Sequence, residues 1–204
     1  MEFAWKQTII DCDYDFYLWL NDDTILKKEA INTLIESAIQ TELQSIIVGS
    51  TESQQRVLSY GGRKADINNT LIPPNNEELV YCNTFNGNIV LIPKFVVQKI
   101  GISNHFFRHS FGDIEYGFRS RKKGLKSYIA PGTLGICDRN EGVPRFLNKS
   151  LSVTKRLKAL YSPLGFNPKE SFYLDYKYRG IHIAILRFIK LHFNAIFPSY
   201  FAAK

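Results

Sequence analysis

The chain has 204 residues, 45% of them hydrophobic, and a net charge of +7, so it can bury a core and is not a disordered protein. Its three cysteines are scattered and form no CxxC pair, so the sequence supports neither a disulfide framework nor a structural zinc site. No apolar run reaches the roughly 18 residues of a membrane-spanning helix, and no apolar leader follows the first residues, so we expect a cytoplasmic protein.

The first quarter of the chain alternates between strand and helix patterns. Residues 1–10 are typical of the end of a helix, and residues 16–20 form a continuous apolar run that predicts a strand buried on both faces. Apolar residues at helical spacing predict a helix over residues 30–39, and a second buried strand follows over residues 45–49. This order predicts a βαβ unit and hence a parallel sheet.

The middle of the chain predicts shorter elements separated by glycine and proline. The predicted elements are a turn at 61–62, a loop over 68–78, a strand over 89–92, a helix over 94–100, a helix over 113–123 and a strand over 126–130. Gly101 and Gly124 follow the two helices directly, as is common at helix ends.

The last third of the chain is basic and helical. Residues 139–204 contain 12 Lys and Arg against three acidic residues, a balance of +9, so the preceding residues sum to 7 − 9 = −2. Such a balance suits an anionic partner, or simply a solvated basic face. Residues 181–197 are rich in Ile, Leu and Phe but carry Arg187 and Lys190, a pattern typical of a helix on a membrane surface or of one packed over the core.

A first acidic motif follows the strand predicted over residues 16–20. Asn21, Asp22 and Asp23 stand at the carboxyl end of that strand, where ligands bind in open α/β sheets. Their oxygen atoms suit Mg²⁺ or Mn²⁺ bridged to a diphosphate. The alternative is helix capping, in which Asp23 or Thr24 accepts hydrogen bonds from the first backbone N–H groups of the next helix.

A second acidic motif opens the helix predicted over residues 113–123. Asp113 follows Gly112, which would let the backbone approach a ligand, and its carboxylate could take a proton from a hydroxyl nucleophile or cap the helix. Glu115 and Arg119 are four residues apart, which predicts an intrahelical ion pair on the surface.

These motifs occur in an order that is typical of one enzyme family. The segments 19–24 (Trp-Leu-Asn-Asp-Asp-Thr), 86–88 (Asn-Gly-Asn), 112–119 (Gly-Asp-x-Glu-Tyr-x-x-Arg) and 122–124 (Lys-Lys-Gly) together resemble family-2 glycosyltransferases of the GT-A fold. The resemblance is greatest to the bacterial rhamnosyl- or galactofuranosyltransferase-like branch, which builds surface polysaccharides. It implies inverting transfer of a sugar from a nucleotide-sugar donor to the hydroxyl of a saccharide or lipid-linked acceptor.

The resemblance also implies a role for each motif residue. Asp23 would coordinate Mg²⁺ or Mn²⁺ with the help of Asp22, and Asp113 would be the catalytic base. The implied substrate-binding residues are Asn21, Asp22, Asn86, Gly87, Asn88, Gly112 and Glu115. Arg139 and Arg145 are candidate partners of the diphosphate, and peripheral contact with the inner face of a membrane is expected through the C-terminal helix.

The fold implied is α/β: a partial GT-A, Rossmann-like mixed sheet flanked by helices over residues 1–138, with a basic helical extension over residues 139–204. The family's acidic motif comes well into the catalytic domain, so the resemblance implies that the N-terminal nucleotide-binding part is lacking and that one sheet edge is free. The alternatives are an inactive remnant or weak sugar-nucleotide-binding module, a metal-dependent phosphohydrolase, and a nucleic-acid-binding protein. The last has no RRM, KH or helix-turn-helix signature, and we expect no nucleic-acid partner.

Overall fold

The computed structural model describes residues 5–8, 14–107, 111–139, 142–162 and 165–198. The chain divides into two compact units, the first formed by residues 1–104 and 113–139 and the second by residues 105–112 and 140–204. Of the helix end predicted over residues 1–10, residues 5–8 are helical, and the rest lie outside the described residues.

The first unit contains nine strands and three helices longer than one turn among its described residues. The strands are β1 Phe16–Leu20, β2 Ile25–Leu26, β3 Ile46–Glu52, β4 Leu58–Tyr60, β5 Gly62–Arg63, β6 Val80–Cys82, β7 Thr84–Phe85, β8 Ile89–Pro93 and β9 Ser127–Ile136. The helices are α1 Ala30–Gln40, α2 Lys94–Ile100 and α3 Gly112–Lys122, the last of which starts at the boundary of the two units.

Seven of these strands form one mixed sheet, so the chain has an α/β fold with helices flanking a mixed sheet. The strand order is β1-β8-β3-β9-β2, with β4 also paired to β3 and β6 to β9. Only β3 and β9 pair in parallel, and β5 and β7 form a separate two-stranded sheet. β1 and β3 run in the same direction, as the predicted βαβ unit requires, but β8 lies between them and runs antiparallel to both. The sheet is therefore mixed, as the resemblance implied, and not parallel.

The central strands separate two apolar clusters. Along β8, Val90 and Ile92 face the cluster of Trp5, Trp19 and Tyr116, whereas Ile89 and Leu91 face the cluster under α1. Side chains alternate across a strand, so β8 is buried on both faces. Each large apolar side chain buried here contributes roughly 1.5–3 kcal/mol.

β1 differs from the strand that its apolar run predicted. Tyr17 and Trp19 are buried, but Leu18 and Leu20 remain 36% and 45% exposed. The prediction of burial on both faces is wrong because β1 is the last strand of the sheet, and α1 covers its outer face only near Phe16.

The second unit is helical over much of its described length. A 3₁₀ turn at Arg145–Leu147 precedes α4 Val153–Leu160, α5 Pro168–Tyr178 and α6 Ile181–Ile196. Ser152 caps α4, and Asn167 caps α5 with a proline in its first turn. Buried Asp175 of α5 pairs with Arg187 of α6 at 3.0 Å, which fastens the two helices together. In the part of the chain that is described, no helix is both long and apolar enough to cross a membrane.

Candidate functional site

The acidic residues after β1 lie beside the ends of two other strands. The backbone N–H of Asn21 donates to the carbonyl of Asn88, just before β8, at 3.1 Å. The side-chain amide of Asn88 donates to Sγ of Cys137, just after β9, at 3.5 Å. That thiol in turn donates to Oδ1 of Asp23 at 3.6 Å. These contacts bring the ends of three segments into one cluster.

Asp113 joins the same cluster from the start of α3. Its Oδ2 accepts a hydrogen bond from the backbone N–H of Gly87 at 2.9 Å, and its Oδ1 accepts one from Ile114 at 2.7 Å. Gly87 directly precedes Asn88 in the chain. Asp113, which contacts Gly87, and Asp23, which is linked to Asn88 through Cys137, therefore lie on the same cluster. The two carboxylates, 90 positions apart in sequence, thus lie at one end of the first unit.

The packing of α3 against β1 places Asp113 there. Tyr116 packs against Trp19 with the rings tilted and their centroids 5.1 Å apart, and its hydroxyl donates to the carbonyl of Gly101 at 2.9 Å. At Gly87, an added Cβ would lie only 3.3 Å from Cβ of Asp113 and 3.7 Å from Trp19. Gly87 is thus packed closely against Asp113, whereas a Cβ at Gly112 would make only ordinary contact at 3.5 Å with Phe107.

Burial raises the pKa of the Asp113 carboxyl above its ordinary value of 3.8, while the N–H groups of Gly87 and Ile114 and the charge of Arg63 oppose that rise. A carboxylate with a raised pKa holds a proton more strongly than an ordinary aspartate. An upward shift is the direction expected of a carboxylate that serves as a general base, since such a base works best when its pKa is close to the working pH.

Arg63 is a cation of the site that the sequence did not single out. Its Nε donates to the side-chain oxygen of Asn86 at 2.6 Å, and its Nη1 donates to the carbonyl of Asn69 at 2.6 Å. Burial lowers the pKa of Arg63, and the nearby charge of Asp113 opposes that shift. Its only sequence signal is its place after the Gly61-Gly62 pair, which suggested a turn and nothing more.

Cys137 was also missed. It is buried between Asp23 and Asn88, and burial is the first cause that raises the pKa of its thiol. A protonated thiol can donate to the carboxylate of Asp23, which holds that side chain toward the cluster. A lone cysteine after a predicted strand gave no signal of this contact.

The oxygen ligands expected for a metal are only partly grouped. Asn21, Asp22 and Asp23 are all exposed. No cluster of three or more His, Cys, Asp or Glu side chains is placed to hold a metal anywhere in the described ranges. Mg²⁺ that is shared with a diphosphate needs only one or two protein carboxylates, since phosphate and water oxygens complete its octahedron. Asp22 and Asp23 fit such a shared ion but not a closed site made by the protein alone.

Glu115 does not occupy the position that was predicted for it. It is fully buried, and its ion pair with Arg119, 3.3 Å from Oε2 to Nε, is an internal one. Arg119 also donates to the carbonyls of Ile100 and Ile102 at 2.8 Å each. The prediction of a surface pair is therefore wrong, and a substrate-binding role for Glu115 does not fit a side chain without access to solvent. The pair instead fastens α3 to the end of α2.

The remaining predicted residues fall in different places. Asn86 is partly buried beside Arg63, and Asn88 is only 5% exposed, so both form the wall of the cluster. Arg139 donates to the carbonyls of Ser59 and Leu58, at 3.0 and 3.2 Å. Arg145 belongs to the second unit.

Comparison of the chain with protein-family models and with curated proteins finds no match. The likeness to glycosyltransferases therefore rests on the motif residues, and the function that follows is a proposal argued from their geometry.

Proposed function

We propose that the chain is an inverting, metal-dependent glycosyltransferase that moves a sugar from a nucleotide-sugar donor to a hydroxyl of a saccharide or lipid-linked acceptor in the synthesis of a surface polysaccharide. The observation that carries the proposal is the continuous contact from Asp23 through Cys137, Asn88 and Gly87 to Asp113. It joins an exposed pair of carboxylates to a half-buried carboxylate whose pKa is raised.

Asp113 acts as the base. Its carboxylate takes the proton of the acceptor hydroxyl as the oxygen forms a bond to the anomeric carbon of the donor. The bond from that carbon to the diphosphate breaks at the same time, and the nucleoside diphosphate leaves from the opposite face. Attack and departure on opposite faces invert the configuration at the anomeric carbon.

The rest of the cluster positions these groups. Arg63 donates to the side chain of Asn86, and the backbone N–H of Gly87 donates to Asp113. These hydrogen bonds hold the proposed base in place. Asp22 and Asp23 would hold Mg²⁺ or Mn²⁺, and the bound ion supplies positive charge against which a diphosphate leaves more readily. Asn21 stands beside them and suits hydrogen bonding to a ribose hydroxyl.

The second unit carries a surface suited to a lipid-linked acceptor. Ala184 and Ala195 of α6 are buried, but Ile185, Leu186, Ile189 and Phe193 are exposed, Leu186 by 64% and Ile189 by 58%. Ile185, Ile189 and Phe193 recur at four-residue spacing and Leu186 stands three residues before Ile189, so the four form one apolar face with exposed Lys190 beside it. We propose that this face contacts an anionic membrane surface.

The test of the activity is transfer by the parent and by Asp113→Asn, with UDP-, GDP- and dTDP-sugars and saccharide acceptors in the presence of Mn²⁺. We expect the parent to release nucleoside diphosphate in an acceptor-dependent way. Asp113→Asn should lose transfer but keep donor binding, since the amide has no basic oxygen yet still accepts one of the two N–H bonds. Transfer by Asp113→Asn at the parental rate would contradict the assignment of the base.

A further inference from the structure

β1 has one free edge within the described part of the chain. At its two ends, Lys94 N–H donates to Asp15 at 2.8 Å and Asn21 N–H donates to Asn88 at 3.1 Å, which fixes the alternation of the ladder with β8. Tyr17 and Trp19 therefore direct their backbone groups to β8. The backbone groups of Phe16, Leu18 and Leu20 point the other way, where none of the described strands pairs with them.

An apolar groove of about 410 Å³ runs along this edge. It lies between the helical turn at residues 5–8 and β1, and it reaches Asn21 and Gly87 at the candidate site. Trp5 and Trp19, whose ring centroids are 4.9 Å apart, line it. An added strand would therefore find three free N–H and three free C=O groups with apolar surface beside them.

The edge lacks three of the features that usually keep edge strands apart. β1 reads Phe-Tyr-Leu-Trp-Leu, without a charge, a proline or a bulge, and its exposed Leu18 and Leu20 are apolar. Acidic residues instead flank the strand, Asp15 before it and Asp22 and Asp23 after it. The edge is thus apolar along its length and negative at both ends.

This charge pattern argues against a second copy of the chain as the occupant. In an antiparallel pair of two β1 strands, the end that carries Asp15 in one copy meets the end that carries Asp22 and Asp23 in the other. Like charges placed across a strand pair are destabilising. A strand with cations at its ends would instead meet an acidic residue at each end.

We propose that the free edge of β1 binds an extended apolar segment of another polypeptide that carries Lys or Arg at its ends and joins the sheet as an additional strand. Main-chain hydrogen bonds to Phe16, Leu18 and Leu20 supply the affinity. The groove selects apolar side chains, and the acidic ends select the cations. The proposal does not rest on the sugar-transfer reaction, although Asp22 and Asp23 at one end of the edge also belong to the proposed metal site.

The experiment uses two synthetic peptides with the same alternating Val-Thr core, one with Lys-Lys at both ends and one with Glu-Glu. The only two tryptophans of the chain, Trp5 and Trp19, both line the groove, so intrinsic fluorescence reports directly on its occupancy. We expect a saturable change with the Lys peptide and at least about tenfold weaker binding of the Glu peptide. No saturable change with either peptide, or equal affinity for both, would overturn the proposal.

Variants of Leu18 and Leu20 test where the peptide sits. Leu18→Pro removes an N–H at the free edge without removing a hydrogen bond to β8, and Leu20→Lys places a cation at the edge. Both variants should abolish peptide binding. Leu18→Ala keeps the N–H and should retain peptide binding. If Leu18→Pro does not fold, Leu20→Lys decides. Peptide binding that survives Leu20→Lys would refute the site. Sedimentation velocity of the peptide-free chain gives a second test: a dimer that Leu20→Lys abolishes would also refute the proposal, because a second copy of the chain would then occupy the edge.

Discussion

At the scale of single residues, Asp113 is held by bonds that come from two directions. One carboxylate oxygen meets the N–H of Gly87 from the loop before β8, and the other meets the N–H of Ile114 on its own helix. Asp113 is therefore both the proposed base and a side chain that links α3 to the loop before β8. The contribution of Asp113 to the stability of the fold can be measured without any knowledge of the substrate.

Asp113→Ala should lower the free energy of unfolding by about 1–3 kcal/mol, because the buried N–H of Gly87 loses its acceptor. Urea unfolding followed by circular dichroism measures this loss. The matched control is Asp22→Ala, an exposed aspartate whose loss should change stability by less than about 0.5 kcal/mol. Equal effects of the two substitutions would show that the Gly87 bond does not stabilise the fold.

The sequence identified the carboxylates of the site and the segment Asn86-Gly87-Asn88, but not Arg63 or Cys137. Asp23 and Asp113 stand in recognisable motifs, one after an apolar strand and one at a helix start. Arg63 and Cys137 reach the cluster only because β5, β7 and β9 pair as they do, and no local pattern encodes that pairing. Glu115 shows the converse, since an i, i+4 ion pair looks the same in sequence whether its helix face is exposed or buried.

At the scale of elements, α3 depends on one close approach to the sheet. At Gly117, an added Cβ would lie 2.7 Å from Cα and 2.5 Å from Oγ1 of Thr84 in β7. The Thr84 hydroxyl donates to the carbonyl of Ile114 at 2.9 Å, so helix and strand touch directly. This contact sets the position of the helix whose first turn carries Asp113.

Gly117→Ala should therefore destabilise the chain by about 1–3 kcal/mol through overpacking, although alanine favours a helix by about 1 kcal/mol over glycine. Gly112→Ala, in the first turn of the same helix, is the control. Its Cβ would make only ordinary contact at 3.5 Å, so it should leave stability unchanged or slightly raised. Thermal unfolding of both variants distinguishes the outcomes, and a Gly117→Ala variant as stable as the parent would contradict the close packing of α3.

The exposed face of α6 predicts binding to anionic vesicles. The parent chain should sediment with phosphatidylglycerol vesicles but not with neutral phosphatidylcholine vesicles, because the apolar face and nearby cations act together. The double variant Leu186→Glu and Ile189→Glu should stay in the supernatant. Ile67→Glu, an equally exposed residue of the first unit, is the control and should sediment like the parent. Failure of the parent to bind anionic vesicles would remove the membrane proposal.

The longer elements of the first unit could be predicted from the sequence, whereas the short strands β2 and β4 to β7 and the order of the strands could not. The short helix was predicted at the observed Lys94–Ile100, because its periodicity and the following Gly101 are local signals. The strand predicted over residues 126–130 instead continues to Ile136, past Pro131 and Gly132, because Thr133 and Gly135 still pair with β3. The insertion of β8 between β1 and β3 is likewise a matter of long-range pairing.

At the scale of the whole molecule, charge and chemistry are divided along the chain. The motif residues that form the contacts from Asp23 to Asp113 belong to the first unit, and residues 139–204 carry a balance of +9. In the proposed function, the first unit holds the nucleotide-sugar donor and the basic helices meet an anionic acceptor or membrane. Of these two parts, donor binding depends on a working nucleotide site beside Asp23.

The most direct test of the account is calorimetric titration of UDP, GDP and dTDP into the parent, Asp23→Asn and Asp113→Asn, each with and without Mn²⁺. We predict that at least one nucleotide binds the parent only when Mn²⁺ is present. Asp23→Asn should weaken that binding by about tenfold or more, while Asp113→Asn leaves it nearly unchanged, because one residue holds the ion and the other only takes a proton. Absence of binding for all three nucleotides, or binding that Asp23→Asn leaves intact, would contradict the shared site.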